Sequence, residues 1–183
     1  MKNMPPAGLE PIRCAITVEA GQERTFTTFT RRIGSWWPIE TRAIEPGKVK
    51  DVVVEEHAGG RVYELLQDGS ECDWGHIIRW EPPSFFSLTW EVLPGPVFSV
   101  VELDFKRLGP ARTQVELTHR GWESLAPVLQ EYYAPHKAAW PHIIGLFENI
   151  FSAGTGATTT DEADEAAECP GLPPRSDGQP DPP

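Results

Sequence analysis

Residues 68–90 read DGSECDWGHIIRWEPPSFFSLTW, and no other stretch limits the fold as tightly. Read as a strand, it sets Cys72, Trp74, His76, Ile78 and Trp80 on one face and Asp73, Gly75, Ile77 and Arg79 on the other. Pro82-Pro83 ends it, because proline cannot donate to a sheet ladder. A second strand then puts Phe86, Leu88 and Trp90 on one face. Three Trp on one face of neighbouring strands is more aromatic bulk than a flat, half-exposed sheet needs. The pattern predicts a curved sheet wrapped around a helix or a cavity.

The flanking chain supplies the rest of that sheet. Ile12, Cys14, Ile16 and Val18 alternate with polar or small residues, which predicts a half-buried strand. Phe26 and Phe29 share one face of a helix opened by Gly21 and Gln22. A second short helix is predicted to carry Ile33 and Trp36-Trp37 and to stop at Pro38, with a loop over 39–48. Strands follow at 49–56 and 61–66, joined by Gly59-Gly60. The last hairpin, 98–107 and 113–120, turns through Gly109-Pro110. These connections are too short for parallel crossovers, so the strands form an antiparallel meander.

After Trp122 the period changes. Trp140, Ile143, Ile144, Phe147, Ile150 and Phe151 recur at steps of three and four, the apolar face of one long helix ending near Ser152. A short helix is expected before it, over 125–133, with Pro141 in the long helix's first turn or kinking it. From Gly154 the composition turns to Thr, Asp, Glu, Gly and Pro, with seven acids against one base, Arg175. Such a tail cannot bury enough apolar surface to offset its ordering entropy, and is expected to be solvated and without a specific partner. The chain thus divides into an N-terminal extension (1–11), a domain (12–153) and an acidic Pro/Gly-rich tail (154–183). The domain is α+β, a helix-grip: a curved antiparallel sheet around a long C-terminal helix, with two short helices after the first strand.

Charge and cysteines narrow the partners. A net charge of -11 opposes binding to nucleic acid, which needs a basic face, and to anionic membrane surfaces. Three cysteines without CxxC spacing, and an N-terminus without an apolar run, predict a cytoplasmic protein with free thiols. No window approaches the roughly 18 apolar residues of a membrane span.

The quoted residues resemble the SRPBCC (START-like) superfamily, and within it the homologues of the activator of the heat-shock-protein-90 ATPase. The likeness runs in order along residues 12–153. It is carried by Phe26-Thr27-Thr28-Phe29-Thr30, Trp36-Trp37-Pro38, Gly59-Gly60-Arg61-Val62-Tyr63-Glu64, Trp74-Gly75, Trp80-Glu81-Pro82-Pro83 and Leu88-Thr89-Trp90. Val115 to Trp122, reading VELTHRGW, and Trp140 complete it. The resemblance implies a fold with a hydrophobic cavity and no single reaction.

The expected function is the binding of a small, largely apolar or aromatic molecule inside that cavity, with no cofactor and no metal. Trp36, Trp37, Trp74, Trp90 and Trp140 are candidates for its wall, and Tyr63, His76 and His119 for orienting a polar group. The plainer reading of the Trp set is core filling, and both readings can hold together. A rival is a co-chaperone-like module that binds a protein partner through an exposed patch. A second rival is a cyclase- or hydrolase-type enzyme in which His76 and His119, or a His with Glu64, do acid–base work. Cys72 has no evident base and takes an apolar slot. The five His show no metal-ligand spacing.

Overall fold

A computed structural model describes residues 9–95, 97–125 and 127–152. The acidic tail and most of the N-terminal extension lie outside the described residues. Seven strands form one antiparallel sheet in the order β1-β7-β6-β5-β4-β3-β2. They are β1 (Ile12–Val18), β2 (Val49–Val54), β3 (Arg61–Leu66), β4 (Glu71–Glu81), β5 (Phe85–Trp90), β6 (Ser99–Gly109) and β7 (Arg112–Arg120). The segments β2 to β7 are the predicted meander. β1 joins the far edge beside β7, with Ile12 opposite His119 and Val18 opposite Thr113. The chain therefore crosses the whole sheet between β1 and β2, through α1 (Gln22–Arg31), a 3₁₀ turn (Ile33–Ser35) and α2 (Ile39–Arg42).

One face of this curled sheet is apolar because the strands keep the period of two. Phe86, Leu88 and Trp90 on β5, Val101, Leu103 and Phe105 on β6, and Val115, Leu117 and His119 on β7 are all buried. Helix α3 (Tyr133–Ser152) closes the face with Trp140, Ile143, Ile144 and Phe147, the three-and-four stripe of the sequence. Pro141 lies inside α3 on its exposed side, where its missing N–H costs one helical hydrogen bond. Phe26 and Phe29 of α1 plug one end, each within 6.0 Å of both Phe86 and Phe105 by ring centroids. The result is the expected α+β helix-grip.

Local corrections are three. Trp36 and Trp37 follow the 3₁₀ turn rather than sitting in a helix. The helical turn falls at 39–42, where a loop was expected, because the Pro38 carbonyl accepts from the Thr41 and Arg42 amides. Before α3 the chain makes two 3₁₀ segments, Trp122–Ser124 and Pro127–Tyr132, in place of one short α-helix.

Candidate functional site

A further departure from the expected pattern is the phase of β4. Between β3 and β4 the register slips, so that Val62 faces Gly75 but Tyr63 faces Asp73. Trp74 is the extra residue. Such a bulge reverses every side chain beyond it. Trp74 is buried, but His76 then turns out to solvent and Ile77 turns in. A second slip, between Ile77 and Arg79 against β5, returns Trp80 to the inner side. Gly75 permits the first bulge: a Cβ there would collide with the Thr89 carbonyl.

His76 therefore leaves the expected site. Its side chain is 49% exposed on the outer face, and Nδ1 lies 3.1 Å from Glu91 Oε1. Partial burial pushes the Glu91 carboxyl up, but hydrogen bonds from Thr89 and His76 outweigh it and the net shift is downward. Tyr63 is outside as well. It alternates with buried Val62 and Glu64, and the Arg61 guanidinium stacks 4.4 Å above its ring.

The other candidates converge between sheet and helix. Trp37, Trp74, Trp90 and Trp140 form a ring with neighbouring centroids 4.6 Å (Trp37–Trp74), 5.7 Å (Trp74–Trp90), 5.3 Å (Trp90–Trp140) and 5.9 Å (Trp37–Trp140) apart. Phe29, Phe86, Thr30 and aliphatic side chains complete the lining of a void of about 30 Å³. That is room for little more than one water, and the surrounding surface is wholly apolar, so it stays dry. Trp36 packs one layer away, against Phe29 and Phe147, and does not line the void.

No indole N–H of the ring is left over. Trp37 donates to the Arg42 carbonyl, Trp74 to Glu64, Trp90 to His136 Nε2 and Trp140 to His119 Nδ1. Two buried polar stations thus brace the apolar ring. The first is Glu64, fully buried, which also accepts from the amides of Ile44 and Glu45 and so ties the 43–48 segment to β3.

The second station is the imidazole pair His119 and His136, 5.5 Å apart by centroids. Because His119 Nδ1 accepts from Trp140, its proton sits on Nε2 and is donated to Ser99 Oγ, 2.7 Å away. Burial, reinforced by His136, drives its pKa down to about 2, so His119 is neutral. His136 is held below its ordinary value by burial, opposed by its bond to the Tyr132 carbonyl and aided by Arg42. Trp122 packs on both rings, and its own Nε1 is buried with no hydrogen-bond partner among the described residues.

His136 and Ser99 were not among the sequence-selected residues. His136 could have been found: it stands four residues before Trp140, on the same face of the predicted helix. Nothing in the sequence marks Ser99 beyond its inward strand position.

Chemically, Glu64, His119 and His136 direct their polar atoms to protein partners, and none of them lines the void. The Cys14 thiol, half-buried on β1, is pushed up to about 11 by burial and is a poor nucleophile. Among the described residues no cluster of three His, Cys, Asp or Glu could hold a metal ion, and no helix is long and apolar enough to cross a membrane.

Comparison with known proteins agrees with this architecture. The family model described as activator of Hsp90 ATPase homolog 1-like protein matches residues 19–152. The solution structure of the self-sacrificing resistance protein CalC from Micromonospora echinospora is 21% identical, with a TM-score of 0.57 over 80% of this chain and 96% of that one. The Aha1 dimer from Colwellia psychrerythraea is 14% identical, TM-score 0.57, over 80% and 99%. A crystal structure from Staphylococcus saprophyticus is 14% identical, TM-score 0.56, over 82% and 98%. A search of curated proteins finds no match to the sequence.

Proposed function

Since the chain belongs to the activator of Hsp90 ATPase homolog 1-like family, whose fold sets an apolar sheet face against a long helix, we propose that it binds a small, largely apolar molecule between sheet and helix. The ligand takes the space that Trp37 fills. One observation carries this reading: of the four indoles around the void, Trp37 alone is borne by a turn rather than by the sheet or α3. Its hydrogen bond reaches only five residues along the chain, to Arg42, so it can swing out with its own segment. The proposed setting is the cytoplasm.

Magnitudes constrain the guest. A buried Trp covers about 150–250 Å², worth roughly 4–6 kcal/mol at 25 cal/mol per Å². A ligand that displaces Trp37 must bury at least as much, which favours fused or substituted rings over single small ones. With the indole N–H groups turned away from the void and His119 bonded at both nitrogens, affinity comes from apolar contact. His76 has no part in it.

The test is native mass spectrometry of the purified chain for a co-purifying small molecule, with titration by a naphthalene-type probe read through Trp fluorescence. Saturable binding is expected, tightened in Trp37→Ala and weakened in Trp74→Ala, with His76→Phe unchanged. If the native chain binds nothing and only Trp37→Ala binds, the cavity is an artefact of truncation and the proposal fails. The filled interior favours a second reading, a module that works through its outer surface, and that failure would leave it standing.

A further inference from the structure

Along α1, Glu23, Thr27 and Arg31 face Trp80, Pro82 and Pro83 across an open groove of about 450 Å³. Its floor is aromatic. Trp80 is half-buried, with its ring 5.1 Å from Phe26 and 5.6 Å from Phe86. Its rim carries an unused charge. Glu56 is held by Arg31 through three charge-assisted bonds, whereas Glu23 has no hydrogen-bond or ion-pair partner among the described residues.

The chain itself contains a segment of matching chemistry. Residues 170–175 read Pro-Gly-Leu-Pro-Pro-Arg, and Arg175 is the one base after Gly154. In a polyproline II helix of three residues per turn, Pro170 and Pro173 fall on one face. Such segments dock on aromatic grooves because their φ angles are already fixed and little entropy is lost on ordering. A base next to the prolines calls for an acid at the groove's rim, and Glu23 is that acid.

Location agrees. In the last turn of α3, the Phe151 ring lies 5.6 Å from the guanidinium of Arg24, the α1 neighbour of Glu23. The C-terminal end of α3 thus lies beside the first turn of α1, the turn that carries Glu23. The 18 residues from Ser152 to Pro170 can span up to about 60 Å, so reach is not limiting. We propose that residues 170–175 of the same chain occupy this groove, with the prolines on Trp80 and Arg175 paired with Glu23. Composition alone gives the tail no partner; the groove supplies one.

The experiment uses the full-length chain; the first variants change only the tail, and the rescue variant adds one exposed α1 position, Glu23. In nitrogen–proton correlation spectra, Pro173→Ala/Pro174→Ala and Arg175→Glu should each move the Trp80 indole and Thr27 amide signals. The Trp74 and Trp90 indoles should stay in place. The differences should survive tenfold dilution, and Glu23→Arg combined with Arg175→Glu should restore the wild-type positions. Unmoved Trp80 and Thr27 signals would overturn the proposal. So would differences that fade on dilution, which assign the groove to a second copy, or charge reversal without rescue.

Discussion

Trp140 and His119 meet across the sheet–helix interface: the indole N–H donates to His119 Nδ1 over 2.9 Å, and this bond fixes the imidazole's tautomer. Burial fixes its charge. With a folded pKa of about 2 against an ordinary 6.5, the unfolded chain takes up a proton that the folded chain refuses.

Stability should therefore be complete above about pH 6.5 and fall as pH drops below it, at up to about 1.4 kcal/mol per pH unit from this residue. His136, also shifted down, acts in the same direction. Between pH 7 and pH 5, His119 alone should account for about 2 kcal/mol. His119→Phe should be less stable at pH 7 yet flatter with pH. Urea midpoints at the two pH values decide it, and an unchanged slope would mean that His119 titrates freely in the fold.

Phe147 is fully buried against Phe29, Trp36 and Phe151. Phe147→Ala should lower stability by about 3–5 kcal/mol. A loss under about 1 kcal/mol by urea denaturation would show that α3 does not close the core.

Glu64 accepts three N–H donors, from Trp74, Ile44 and Glu45. Glu64→Ala strands all three and should cost about 3 kcal/mol or more, with a change in Trp fluorescence. Glu64→Gln keeps one acceptor oxygen and should fall between the two. Equal stability of alanine variant and wild type would remove Glu64 from the framework.

Gly75→Ala should cost about 3 kcal/mol, because the added Cβ overpacks the backbone of β5 at Thr89. Gly69→Ala is the control. It also has positive φ, but its Cβ would meet open space, so it should cost only about 1 kcal/mol. Similar midpoints for the two variants would contradict the close approach at Gly75.

Much of this was legible in the sequence. Period-two patterns in β1, β5, β6 and β7 and the three-and-four stripe from Trp140 to Phe147 are direct images of burial, and each element lies where its pattern puts it. Trp74, Trp90, Trp140 and His119 were readable as inward for the same reason. His76 was not. Alternation holds only while each residue has one partner, and a bulge is decided by a backbone approach, Gly75 to Thr89, that leaves no periodic trace. Tyr63 points outward by strand phase, which its residue type does not reveal: Val62, Glu64 and Leu66 take the inner face of β3. The filling of the void by Trp37 was also hidden, since a turn residue's direction depends on how the crossover from β1 to β2 drapes over the sheet.

The four indole bonds differ in how far they reach along the chain. Those of Trp74, Trp90 and Trp140 span 10, 46 and 21 residues, while that of Trp37 spans five. Solvent deuterium can replace the first three protons only when strands part or α3 lifts, so those protons exchange at the rate of large-scale opening. The Trp37 proton needs only its own turn to move. Its exchange lifetime thus clocks how often the interior becomes accessible while the rest of the molecule stays folded.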